Sequence, residues 1–131
     1  MKLSLLVMAA PYASGGADSA WHYADAALAL GHELSRVFFY DEGALNGTLS
    51  SVPPQDEGNR TERWAVLQQR SGCELILCIA SALKRGMLDS TEAERYEQSG
   101  ATIHPAFELG GLGLLVDASA NSDRLITFGP G

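Results

Sequence analysis

Residues 74–88 read ELILCIASALKRGML. The run from Glu74 to Ile79 is apolar after its first residue and passes almost directly into a short helix-forming stretch around Ser81 to Arg85. An apolar run without polar alternation is how a parallel strand covered on both faces reads, and the helix behind it starts a βαβ unit. The same alternation repeats outward from here. Lys2 to Ala9 is a second near-continuous apolar run, followed by a Pro/Gly/Ser loop over Ala10 to Gly16. Asp18 or Ser19 can cap the next helix, which runs to Leu30 with Gly31 as its stop. Trp21, Ala24, Ala27, Leu28 and Gly31 fall on one side of it.

Leu34 to Tyr40 is the next strand. The polar stretch Asp41 to Asn59, with Gly43, Gly47, Gly58 and the pair Pro53-Pro54, reads as a long loop. Thr61 can cap a helix through Gln69, with Trp64 and Leu67 facing inward, and Gly72 punctuates before the strand at Glu74. Asp89-Ser90-Thr91-Glu92 has capping-box spacing and opens a helix to about Gln98, stopped by Gly100. Ala101 to Phe107 reads as a fourth strand, Leu112 to Ala120 as a helix and Arg124 to Phe128 as a fifth strand. The expected fold is α/β: one three-layer α/β/α domain over residues 1–131, with a five-stranded, mainly parallel sheet.

Composition narrows the function. The chain is 46% hydrophobic and 19% charged, an ordinary globular balance. Its net charge of −7 repels phosphate backbones, and its longest basic cluster is Lys84-Arg85, so direct nucleic-acid binding is not expected. The opening MKLSLLVMAAPYA faintly resembles a signal peptide, but it has a single charged residue ahead of its apolar run, and Pro11 and Tyr12 fit a cleavage site poorly. It reads better as the first strand. No apolar run approaches the length of a membrane span, and the expected location is cytoplasmic. Three scattered histidines and two cysteines offer no zinc spacing, and no metal or cofactor is expected. Cys73 and Cys78 lie five apart, so along one strand their side chains point to opposite faces and a mutual bridge is not expected.

In a parallel sheet the working site lies beyond the carboxyl ends of the strands, and Cys78 stands at that end of the third strand. The N–H groups at the start of the following helix favour a thiolate, and Lys84 and Arg85 add positive potential if the turn brings them near. A thiolate is the nucleophile of sulfur exchange. The competing reading is that Cys78 is a small buried hydrophobe. Cys73 starts the strand, at the opposite end from any such site. The loop APYASGGADSA could hold an anion at a helix N-terminus, but it lacks both the P-loop lysine and the full G-x-G-x-x-G spacing, and a turn built of small residues is the better reading. If strands one and three are neighbours, this loop forms a wall of the Cys78 pocket. His22, His32 and His104 have no acid or nucleophile partner at motif spacing. Glu92, Glu94 and Glu97 read as the solvated face of a helix, and LGGLGLLVDASANSDRLITFG as core or subunit contact.

These segments carry a resemblance. With its PYASG turn, GHELSRVFFYDEG, the cysteine segment CIASALKRGMLDSTEA and the closing FELGGLGLLVDASANSDRLITF, the chain resembles the DsrE/TusD family of bacterial sulfur-relay proteins, its TusD-like members above all. The resemblance implies that Cys78 carries a persulfide, accepting sulfane sulfur from an upstream carrier protein and passing it to a downstream one. It implies that the sulfur ends as 2-thiouridine at the wobble position of transfer RNA. It also implies a hetero-oligomer with two related subunits, two copies of each, hence a hexamer. Related DsrE proteins serve sulfur oxidation with the same architecture. Persulfide exchange needs a thiolate, an exposed sulfur and a partner, but no metal and no general base of its own. Two other readings stand beside this one. In the first, the chain is a non-catalytic assembly subunit of the same fold with Cys78 structural. In the second, it is a flavodoxin-like binder that holds a phosphate on its glycine loop.

Overall fold

The computed structural model describes residues 1–13 and 15–130; Ser14, which belongs to the first glycine-rich loop, and Gly131 lie outside the described residues. The apolar runs become five strands: β1 (Lys2–Val7), β2 (Glu33–Phe39), β3 (Glu74–Cys78), β4 (Phe107–Gly110) and β5 (Arg124–Phe128). The helices are α1 (Gly16–Ala29), α2 (Arg60–Ser71), α3 (Ile79–Lys84), α4 (Ser90–Arg95) and α5 (Leu112–Asn121), with a 3-10 helix over Asp41–Gly47. The strands form one sheet in the order β4-β3-β2-β1-β5, and all four pairings are parallel.

That order makes the two faces unequal. From β1 to β4 the chain adds strands on one side only, then crosses back over the sheet to lay β5 beside β1. With right-handed crossovers, the outward steps put their helices on one face and the return step puts α5 on the other. The packing follows suit. Leu5, Val7, Val37, Phe39, Leu75 and Leu77 point to a thick side filled by Ala17, Ala20 and Ala24 of α1, Trp64 and Leu67 of α2, and Ala82 of α3. Phe39 meets Trp64 edge to face at a centroid distance of 5.2 Å. The alternate residues Phe38, Ile76 and Cys78 point the other way, to a thin side where Leu6, Tyr40 and the α5 leucines Leu114 and Leu115 pack on them.

Several ends differ from the sequence reading, each for a local reason. The expected fourth strand at 101–107 is displaced: Ile103 makes only an isolated antiparallel bridge to Thr48, and the parallel ladder beside β3 is made by Phe107–Gly110. Pro105 has no N–H to give a ladder, so pairing resumes only after it. His104 therefore lies outside β4. α1 begins at Gly16 with Gly15 as an N-cap that makes no side-chain bond, and Asp18 turns instead to Arg60 and Arg63 at the start of α2. α2 is capped by Asn59 and not by Thr61: the Asn59 Oδ1 accepts the Glu62 N–H at 3.0 Å. Asp89 caps α4 as its spacing predicted, accepting the Glu92 N–H at 2.8 Å, but the helix ends at Arg95. Glu92 is buried and paired with Arg95 at 3.2 Å, so only Glu94 and Glu97 of that acidic group face solvent.

The stretch read as a long loop opens with the 3-10 helix, which lies against the exit of β1. Asn46 is fully buried and donates from Nδ2 to the carbonyls of Ala9 (3.0 Å) and Gly43 (2.9 Å), pairing backbone groups that no ladder reaches. A Cβ on Gly43 would lie 2.0 Å from the Val7 carbonyl oxygen, which is backbone and cannot step aside. Gly43→Ala is therefore expected to lower stability by about 1–3 kcal/mol in urea denaturation, an overpacking loss at a fixed site. A variant as stable as the wild type would mean that the 3-10 helix can move off β1.

Asp18 gives a pH signature. Burial pushes its carboxyl up, but hydrogen bonds from Arg63 and Arg60 outweigh that and hold it below the ordinary carboxylate value. The group is thus more acidic folded than unfolded. Its contribution is present above the unfolded value and is lost as pH falls through the folded one. Denaturation midpoints followed from neutral to acid pH are expected to fall less steeply for Asp18→Asn than for the wild type.

Candidate functional site

Cys78 is the last residue of β3 and the N-cap of α3, with φ −57° and ψ 121°. The sheet register sets it beside Gly110 of β4, and Tyr40 follows the last β2–β3 pair, Phe39 with Leu77, on its other side. Its side chain joins Phe38 and Ile76 on the thin face, under Tyr40, Leu114 and Leu115. The approach of Leu114 depends on Gly110, where a Cβ would lie 2.5 Å from Leu114 Cδ1 and 2.7 Å from Ile76 Cγ2. Cys78 is 3% exposed. The exposed sulfur expected from the sequence is thus covered in the isolated chain, because α5 returns across the strand exits and lays two leucines over them.

Of the basic pair behind Cys78, Arg85 is engaged elsewhere. Arg85, at the C-cap of α3, donates from Nη2 to Asp41 Oδ1 at 2.6 Å and from Nη1 to the Ser81 carbonyl at 3.1 Å. The Ser81 hydroxyl oxygen accepts the Asp41 N–H at 2.9 Å. Asp41 has φ +55°, a left-handed conformation that a non-glycine residue holds only at a conformational cost of about 1 kcal/mol or more. The Arg85 guanidinium therefore holds the exit of β2 against α3, and its charge is directed at Asp41. Lys84 is exposed.

Arg36, which sequence reading passed over, is a part-buried cation level with Glu74, at the end of β3 away from Cys78. It stands on β2 and projects to the thin side. Nη2 donates to Glu74 Oε1 on β3 at 2.8 Å; Nη1 donates to the Leu114 carbonyl at 2.8 Å and to Asp117 Oδ2 at 2.9 Å, both on α5. Burial works against its charged form, but the hydrogen bonds it donates to Glu74 and Asp117 prevail and hold its proton more tightly than in free arginine. The one available signal was a lone cation inside the apolar run of RVFFY.

The other candidates separate from Cys78. Cys73 precedes β3 on the thick side and is 2% exposed; burial pushes its thiol up, against the bond from Ser71. Both cysteines are unpaired, on opposite faces as their spacing predicted. His22 is exposed, His32 Nδ1 lies 3.0 Å from the terminal ammonium of Met1, and His104 pairs through Nε2 with Glu62 at 2.9 Å. The glycine loop does not wall the Cys78 pocket through a neighbouring strand, because β2 lies between β1 and β3. Its Gly16 is a packing glycine: a Cβ there would lie 2.2 Å from the Gly129 carbonyl oxygen. Among the described residues no group of three or more His, Cys, Asp or Glu is arranged to hold a metal ion, and no helix is long and apolar enough to cross a membrane.

Comparison with known proteins agrees with this geometry. The model of the DsrE/DsrF-like family matches residues 1–128. The sulfurtransferase TusD of Enterobacter sp. (strain 638) is 43% identical over 128 residues, covering 98% of this chain and 100% of that protein. The sulfurtransferase TusD of Salmonella typhi is 41% identical with the same coverage. The DsrE protein of Allochromatium vinosum is 43% identical over 129 residues, covering 98% of this chain and 99% of its own. The crystal structure of the ychN protein from E. coli shares the fold, with a TM-score of 0.77 at 19% identity, covering 98% and 99% of the two chains. With a family match along nearly its whole length and full-length relatives named sulfurtransferases, this chain belongs to the DsrE/DsrF-like family and shares their sulfurtransferase activity.

Proposed function

We propose that Cys78 is the sulfur carrier of this sulfurtransferase. Its thiolate attacks the outer sulfur of a persulfide on an upstream carrier protein. The sulfur–sulfur bond of the donor breaks, a new one forms on Cys78 Sγ, and the donor leaves as a thiolate. Repetition of the step with a downstream carrier as acceptor returns Cys78 to its thiolate. No electrons enter or leave the pair, so the exchange needs no oxidant, metal or separate base. The observation that carries this reading is the place of Cys78: last residue of a central parallel strand, at the carboxyl edge where such sheets do their work. Cys73, the other thiol, sits at the opposite end of the strand in the thick core, away from that edge.

In this reading the chain works in the cytoplasm with two related subunits in a hetero-oligomer, a hexamer of two copies each. The sulfur goes on to 2-thiouridine at the tRNA wobble position. A net charge of −7 suits a protein that hands sulfur to other proteins and does not grip RNA itself. Two alternatives keep a specific footing. The 3% exposure of Cys78 favours a non-catalytic assembly subunit, and the likeness to the A. vinosum DsrE protein leaves room for a role in sulfur oxidation.

Intact mass after incubation with a protein persulfide donor decides between carrier and assembly subunit. The wild type is expected to gain one sulfur that reductant removes; Cys78→Ser is expected to gain none while keeping its fold and its partners. A wild type that stays unloaded in its native complex would sink the carrier reading. Loss of thiolated tRNA on deletion, or its persistence, separates tRNA modification from sulfur oxidation.

A further inference from the structure

A sulfur that must meet a partner is sealed in this chain by one helix. α5 is the helix of the thin side, and among its residues Ala118 alone is buried. Leu114 and Leu115 reach inward over the Cys78 cluster, while Leu112 and Val116, 51% and 67% exposed, face out. The two ends of α5 are held differently. Beyond its C-terminal end, Ser122 Oγ lies 2.7 Å from Ser4 Oγ, and Asp123 makes two 2.7 Å hydrogen bonds with the Lys2 backbone, its N–H donating to the Lys2 carbonyl and its carboxylate accepting the Lys2 N–H. The N-terminal end, beside Cys78, is entered through Gly110-Gly111, and positions 111 and 113 have no atom within 4 Å of where a Cβ would stand. Past this turn, the side-chain hydrogen bonds that tie α5 to the sheet among the described residues come from Arg36, to the Leu114 carbonyl and to Asp117. Arg36 is in turn fixed by Glu74, the first residue of the strand whose last residue is Cys78, so the latch holds α5 along its length and not at the sulfur itself.

We infer that the N-terminal half of α5 is a lid over Cys78 and that Arg36 is its latch, a positioning residue that sets how often the sulfur meets a partner. The biological sense of the lid rests on the carrier reading of Cys78; the lid itself does not. A carrier that reaches the sulfur displaces Leu114 and Leu115 and breaks the two bonds from Arg36, while the anchors at Ser122 and Asp123 keep the helix attached. Release leaves no stranded charge, since Glu74 and Asp117 are 51% and 53% exposed and stay solvated.

The test follows alkylation of both cysteines in the native full chain by peptide mass, with iodoacetamide and with a bulkier maleimide. Cys73, buried on the thick side, reports global unfolding. In the wild type Cys78 is expected to react slowly, and more slowly with the larger reagent. Arg36→Met is expected to speed Cys78 alkylation by about tenfold or more, the effect of removing charge-assisted hydrogen bonds from the closed form alone, with Cys73 unchanged. Asp117→Ala, which removes one arm of the latch and spares the sheet, is expected to give a smaller rise. Should Arg36→Met be too unstable to handle, Asp117→Ala decides. Equal acceleration of Cys73 and Cys78, no acceleration at all, or a wild-type Cys78 as reactive as a free peptide thiol would each overturn the lid. Sulfur loading measured on the same samples keeps the two ideas apart. Faster alkylation without loading in any variant would leave the lid standing and remove the carrier. Loading with unchanged alkylation would do the reverse.

Discussion

Glu74, Asp117 and the Leu114 carbonyl converge on Arg36, and the thin side of the sheet depends on that convergence. An arginine whose side chain is 11% exposed is costly to desolvate, and here its two terminal nitrogens are matched to acceptors while Nε has no partner among the described residues. One planar group joins β2, β3 and α5 beside the small apolar cluster of the thin side. The thick side needs no such device, because Trp64, Leu67, Phe39 and their neighbours bury enough surface to hold α1 and α2 by packing. The two sides of one sheet are thus held by different forces: packing, which is hard to undo locally, and a small polar cluster at a rim, which is not.

The same inequality gives the two cysteines different surroundings. Five residues apart, they fall on opposite faces. Cys73 is enclosed by the thick core, where burial favours the protonated thiol. Cys78 shares a small cluster with Phe38 and Ile76, on which Leu6 and Tyr40 of the sheet side and Leu114 and Leu115 of α5 pack. Its burial fraction is nearly the same, 3% against 2%, but what lies above it is one helix deep. Exposure alone would class the two thiols together; the elements that cover them do not.

Much of this was legible in the chain itself. The stretches at residues 2–9, 34–40, 74–79 and 124–128 became β1, β2, β3 and β5; the near-continuous apolar runs among them, 2–9 and 74–79, fit strands covered on both faces. The position of Cys78 at a strand's carboxyl edge followed from the same pattern. What escaped was set by distant partners. Arg36 meets Glu74 and Asp117 at separations of 38 and 81 residues, and the cover over Cys78 comes from residues 114 and 115. The order of the 3-10 helix comes from Asn46 binding the exit of β1, 37 residues away. β4 was misplaced because residues 101–107 have a strand-like composition, while Pro105 interrupts the pairing they would need. Local pattern reports which residues can be strands; it does not report which backbone groups are already satisfied.

The strand order also fixes a sequence of events in time. β1 is the first of the five strands along the chain, yet one of its two neighbours, β5, is the last. The strands β1 to β4 and the helices α1 to α4 can pack before the segment 112–128 docks, and until it does nothing from that segment covers the opposite face. A chain that folds in this order presents Cys78, Ile76 and Phe38 to its surroundings until α5 arrives, and one segment then both closes the sheet and hides its thiol.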